Sequence, residues 1–155
     1  MHIAPPSLEY LNKTLGEIEN EAQACQKCAL AKTRTKVVFA QGKAPCSIML
    51  IGEGPGRDED LQGIPFVGRS GKLLTKMLES IDIKRPDNIY IANTVKCRPP
   101  QNRDPLKSEI SACNDYLRAQ IYHVKPRVLL LSGSPSMKTI LNTTTPISKI
   151  RGKWI

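Results

Sequence analysis

Ser47-Ile48-Met49-Leu50-Ile51, running into Gly52-Glu53-Gly54-Pro55-Gly56 (residues 47–56), is the stretch on which the fold turns. A short apolar run that breaks into three glycines and a proline predicts a buried strand ending in a tight loop. The same pattern recurs twice. Asn88 to Ala92 reads as a second buried strand, entering Asn93-Thr94-Val95-Lys96-Cys97-Arg98-Pro99-Pro100, where two prolines forbid regular pairing. Arg127 to Leu131 reads as a third, ending at Ser132-Gly133.

Helical periodicity fills the intervals. Leu8, Leu11, Leu15, Ile18 and Ala22 recur at spacings of three and four, and with Ser7 as N-cap they predict one amphipathic helix from Ser7 to about Gln23, delivering the chain to Cys25. Leu73, Leu74, Met77, Leu78 and Ile81 predict a second, opened by the Gly68-Arg69-Ser70-Gly71 turn and ended before Pro86. Asp104 as N-cap with Pro105 at N1 predicts a third through about His123, and Ser134 to Leu141 a short fourth. Strands alternating with helices imply parallel pairing through right-handed crossovers, hence a three-layer α/β fold read as one domain over residues 1–155. Ligands in such sheets bind at the carboxyl ends of strands, which places the loops after Ile51 and Ala92 at the expected site.

A chain of 155 residues with 40% apolar content buries a real core without staples. Its start lacks a basic segment followed by an apolar one, and its longest apolar runs are too short to span a bilayer, so a cytoplasmic protein with no membrane association is expected. Lys and Arg outnumber Asp and Glu by 23 to 14, a formal charge of +9. Such an excess makes polyanions plausible partners and supplies the counterion-release contribution to nucleic-acid affinity.

Cys25 and Cys28 form a C-x-x-C, which places two sulfurs on one tight turn, and Cys97 and Cys113 follow from distant segments. Four thiolates suit tetrahedral zinc or an iron–sulfur cluster. Zinc ribbons supply both pairs as short knuckles, and the wide second pair leans towards a cluster, with buried unliganded thiols as the plainer alternative.

The glycine-rich turn is no standard nucleotide motif. A dinucleotide fingerprint from Gly52 would need glycine where Arg57 stands, and a P-loop ending at Gly71-Lys72 would need glycine at Phe66 and Ser or Thr at Leu73. What remains is a turn whose amides can closely approach a phosphate or a planar ring, with the carboxylate of Glu53 in its midst. Phe66, in an apolar loop, is placed to stack on a base, and Asn93, directly after a strand, presents an amide that complements a pyrimidine edge. For both, the plain alternatives are a core Phe and a turn-forming Asn.

The ordered set C-x-x-C, GEGPGRDED, GIPFVGRSGKLL, NTVKCRPPQNR and a later Cys resembles the type-4 uracil-DNA glycosylases, which carry a 4Fe-4S cluster. The resemblance runs from about Cys25 to Trp154. It implies a uracil-DNA glycosylase-like fold, a short parallel sheet flanked by helices, and a monomeric DNA repair hydrolase acting on uracil-containing DNA. It further implies that Cys25, Cys28, Cys97 and Cys113 hold the cluster, that Glu53, Gly54 and Pro55 line the uracil pocket, that Phe66 stacks on the flipped base and that Asn93 bonds its edge. In that reading Glu53 and Asn93 are catalytic, Lys96, Arg98 and Arg103 face phosphate, and Cys46 is a core thiol.

Members of that family continue past Lys149-Ile150-Arg151-Gly152-Lys153-Trp154 into a further strand and a His-Pro-x-Tyr loop. This sequence ends at Ile155, and its histidines, His2 and His123, do not fall at that position. The resemblance therefore implies that the last strand and one wall of the site are missing. Two rivals are a catalytically impaired iron–sulfur DNA-binding remnant and a zinc-stabilised domain without catalysis.

Overall fold

The structure, a computed structural model, describes residues 3–155, which leaves His2 outside the described residues. Three strands form the centre: β1 (Ile48–Gly52), β2 (Tyr90–Asn93) and β3 (Val128–Leu131), all parallel, in the order β2-β1-β3. The apolar runs of the sequence become these strands because a parallel sheet is covered on both faces and needs side chains that tolerate burial on either side. Successive residues alternate as the pleat requires. Leu50, Ile91 and Leu130 enter one core with Leu74 and Leu78, whereas Met49, Ile51, Tyr90 and Ala92 enter another with Leu117, Val124 and Ile140.

Helices supply the outer layers: α1 (Leu8–Leu11), α2 (Leu15–Gln23), α3 (Arg57–Gln62), α4 (Arg69–Glu79), α5 (Lys107–Val124), α6 (Ser134–Leu141) and α7 (Ile147–Ile150). Leu74 and Leu78 of α4 cover one face of the sheet, and Leu117 and Val124 of α5 with Ile140 of α6 cover the other. Helix α2 packs outside α5, burying Ile18 and Ala22 with Tyr116 and Ala119. No helix among the described residues is long and apolar enough to cross a membrane.

Two boundaries differ from the sequence reading, and one helix is new to it. The expected helix from Ser7 to Gln23 is two helices, because Thr14 and Glu17 close a capping box: the Thr14 N–H donates to Glu17 Oε2 (2.7 Å) and Glu17 N–H to Thr14 Oγ1 (3.3 Å). Helix α5 starts at Lys107 rather than behind Asp104, since Glu109 accepts from the Leu106 N–H at 2.8 Å and fixes the first turn there. Helix α3, which no expectation from the sequence covers, forms where Asp58, Glu59 and Asp60 crowd its first turn and complement the helix dipole.

Candidate active site

Gly52 and Asn93 are paired partners at the carboxyl ends of β1 and β2, so the loops that follow leave the sheet side by side. The pairing continues beyond the strands: the Thr94 N–H donates to the Gly52 carbonyl (2.8 Å) and the Val95 N–H to that of Glu53 (3.1 Å). Between these loops lies a cavity of about 190 Å³ lined by Glu53, Gly54, Pro55, Phe66, Asn93 and Arg103, among others. An apolar cavity of roughly 150 Å³ holds benzene, so this space matches one six-membered ring. Every pocket residue expected from the sequence lines it.

Glu53 is half-buried, and burial raises its carboxyl above the usual range, with the nearby Asp104 charge pushing the same way and the Ser134 main-chain N–H pulling it back. That amide belongs to the first turn of α6, and Gly133 just before it (φ 97°) lies so close that a β-carbon there would come within 2.7 Å of Glu53 Cγ. The end of β3 thus supports the carboxylate that β1 presents. Sequence reasoning missed this; Ser132-Gly133, a third strand-end turn, was the available signal.

Phe66 adopts a left-handed backbone (φ 54°), a conformation costing an L-residue roughly 1–2 kcal/mol. Its ring lies across Gly52 beside the Asn93 side chain; a β-carbon on Gly52 would come within 2.6 Å of Phe66 Cζ. The loop behind the ring is held by Glu59, whose carboxylate accepts from the Val67 and Gly68 N–H groups (both 2.8 Å) and from Gly56 (3.1 Å). Glu59 was not foreseen, although its spacing from Gly56 is that of a capping box.

On the other side of Asn93, Lys96 is fully buried, with Nζ donating to the Asn93 carbonyl and to Gln120 Oε1, each at 2.6 Å. Burial lowers its pKa to about 8. This corrects the expectation that Lys96 faces phosphate. Arg103 remains at the cavity but also forks onto Glu109 (2.7 and 2.9 Å), and Arg98 donates to Asn102 (2.7 Å). His123 Nε2 lies 3.3 Å from the Tyr10 carbonyl and does not line the cavity.

Cys25, Cys28, Cys97 and Cys113 line a second, smaller cavity together with Arg34, Lys96 and Tyr116. All are free thiols, as is Cys46, which is partly buried and packs against the core cluster of Met49, Ile51 and Leu117. Arg34 Nη1 stands 3.6 Å from Cys97 Sγ, and the Lys96 N–H donates to Cys113 Sγ at 3.4 Å. Burial pushes the Cys97 thiol up to about 11 and raises that of Cys113. Among the described residues, no three Cys, His, Asp or Glu side chains converge on a point where a single metal ion would sit.

The carboxyl end of the sheet thus carries a ring-sized cavity lined by Glu53, Phe66 and Asn93, with a four-thiol cavity behind its second loop, and comparison with known proteins supplies the family. A family model described as Uracil DNA glycosylase superfamily matches residues 30–155. The chain is 46% identical over 145 residues to the type-4 uracil-DNA glycosylase of Archaeoglobus fulgidus, covering 91% of this chain and 72% of that protein. It is 42% identical over 148 residues to the type-4 uracil-DNA glycosylase of Thermotoga maritima (94% and 77%), and 42% identical over 141 residues to that of Saccharolobus solfataricus (88% and 65%). The chain belongs to the uracil DNA glycosylase superfamily and, by these relatives, to its type-4 branch.

Proposed function

We propose that this chain is a DNA repair glycosylase that flips uracil out of DNA and hydrolyses its N-glycosidic bond. The observation that carries this reading is the meeting of Glu53, Phe66 and Asn93 around one ring-sized cavity at the ends of β1 and β2. Duplex DNA hides the bond, so the nucleotide must be extruded at a cost of a few kcal/mol. Stacking on Phe66 returns roughly 1–3 kcal/mol of that. The Asn93 amide bonds the pyrimidine edge and favours uracil over cytosine through the acceptor O4, and uracil over thymine follows from the missing methyl.

Departure of the base leaves positive charge on the sugar and places the electron pair of the C1′–N1 bond on uracil. Glu53 orients the water that adds to C1′, accepts its proton and favours the cationic sugar, while the amides around Gly54 and the Asn93 side chain stabilise the departing anion. The positive charge of the chain, +9, draws it to the DNA backbone. We place the enzyme in the cytoplasm, as a monomer.

Cys25, Cys28, Cys97 and Cys113 suit a 4Fe-4S cluster. The four thiols line one cavity, and the wide spacing of Cys97 and Cys113 departs from the paired short knuckles of a zinc ribbon, which favours the cluster over a single zinc. A bound cluster would cross-link the Cys25–Cys28 turn, the loop after β2 and helix α5. Its role would be structural, with Cys97 tying the segment from Asn93 to Cys97 to the Cys25–Cys28 turn and to Cys113 of α5.

The test is incubation of the chain with an oligonucleotide carrying one deoxyuridine, followed by alkaline strand scission. Scission at the uracil in the native chain and its loss in Glu53→Gln support the reading; no scission, or equal scission by Glu53→Gln, rejects it.

A further inference from the structure

The ring of Phe66 can receive a base only if its loop keeps the left-handed bend that lays the ring over Gly52 and Asn93. A phenylalanine rarely adopts that bend unaided. The backbone groups flanking it are instead held from outside. On one side Glu59 takes the amides of Val67 and Gly68. On the other side stands Arg85, more than fifteen residues along the chain and close to the start of β2. Its Nη2 donates to the Pro65 carbonyl (2.6 Å) and its Nη1 to the Phe66 carbonyl (2.7 Å) and to Thr75 Oγ1 (3.0 Å). Its Nε donates to Gln41 Oε1 (2.9 Å). Among the described residues Arg85 forms no salt bridge with a carboxylate, so its donors serve this loop and its two neighbours.

Two consecutive carbonyls gripped by one planar fork fix the two peptide planes that flank the Phe66 Cα, and with them the direction in which the ring leaves the backbone. Arg85 does not line the cavity and touches nothing that reacts. We propose that Arg85 is the positioning residue for Phe66, and that it sets the capture of the extrahelical base by holding the stacking ring in place. This rests on the reading of the cavity as a uracil site. A lysine cannot replace it, because a single ammonium lacks the fork geometry that reaches Pro65, Phe66, Thr75 and Gln41 together.

The test is a double-mutant cycle on the full chain: native, Arg85→Gln, Phe66→Ala and the double variant, with Arg85→Lys as the conservative substitution. The readout is the ratio of affinities for an oligonucleotide with one non-cleavable 2′-fluorinated deoxyuridine and its thymidine counterpart, alongside thermal melting. Arg85→Gln and Phe66→Ala should each lower the uracil preference by about tenfold, the double variant should be no worse than Phe66→Ala, and Arg85→Lys should not restore it. Should Arg85→Gln fail to fold, Arg85→Lys measured in the presence and absence of Phe66→Ala completes the cycle. Full preference in the Arg85 variants, or losses that multiply in the double variant, would overturn the role. A native chain without uracil preference would overturn the uracil reading, and the proposal with it.

Discussion

Lys96 Nζ donates to the main-chain carbonyl of Asn93 over 2.6 Å, while the main-chain N–H of the same lysine reaches Cys113 Sγ at 3.4 Å. One fully buried residue therefore joins the floor of the ring-sized cavity to the four-thiol cavity.

Replacing Lys96 with Met keeps the volume and removes the donor, leaving the Asn93 carbonyl and Gln120 Oε1 without their partner. Each orphaned buried acceptor costs about 1–3 kcal/mol, offset in part because a buried ammonium is no longer needed. The expected net loss is about 2 kcal/mol, seen as a fall of roughly 4–8 °C in Tm, with slower excision because Asn93 loses its anchor. An unchanged melting curve would show that the lysine carries no such tie.

Glu53→Gln should lower single-turnover excision by about 10²–10⁴-fold, the range for a positioned general base, and leave binding to uracil-containing DNA intact. The same change should raise Tm slightly. Burial holds the Glu53 carboxyl above its ordinary pKa, so the ionised form is the one the native state disfavours at neutral pH.

The pH dependence follows from the same shift. Catalysis needs the carboxylate, so kcat/KM should fall as pH drops through a pKa above the ordinary value of 4.5. Asp104 contributes to that elevation, and Asp104→Asn should move the acid limb to lower pH. Stability runs the other way: the native state binds this proton more tightly than the unfolded chain does, so this residue's contribution declines as pH rises through the raised pKa. An acid limb that ignores Asp104→Asn would remove Glu53 from the titration.

Gly52→Ala should empty the site without unfolding the chain. A β-carbon there would come within 2.6 Å of the Phe66 ring and would also strike the Asn93 side chain, so the ring must move off the strand end. Excision is expected to fall by at least about tenfold, the equivalent of a lost stacking contact, in a protein that keeps its far-ultraviolet circular dichroism.

Protein purified without oxygen should be brown and carry about four irons and four sulfides per chain, as a 4Fe-4S cluster requires. Cys113→Ala should lose most of the iron, whereas Cys46→Ala, whose thiol does not line the four-thiol cavity, should keep it. Colourless protein with one zinc per chain would contradict the assignment.

The strands and the pocket loops were legible because their signals are local. Met49 to Ile51 and Ile89 to Ala92 are buried on both faces, and the turns that end them carry Gly, Pro and Asn. Thr14 was not legible as a break, since the leucine spacing runs straight across it and only the Thr14–Glu17 box reveals the cap. Lys96 reads as a surface lysine until Gln120, 24 residues away, is folded against it. Gly133 under Glu53 and Arg85 behind Phe66 share that character: their partners come from other strands and loops, and no spacing within either segment announces them.

The central claim is that the cavity between the ends of β1 and β2 takes one uracil against Phe66. The chain has only two phenylalanines, and Phe39 is buried in the core and does not line the cavity, so each ring can be followed separately by NMR after selective labelling. Titration with free uracil should shift the Phe66 ring resonances and leave those of Phe39 in place, and thymine should do neither. Shifts at both rings alike, or at neither, would contradict the account.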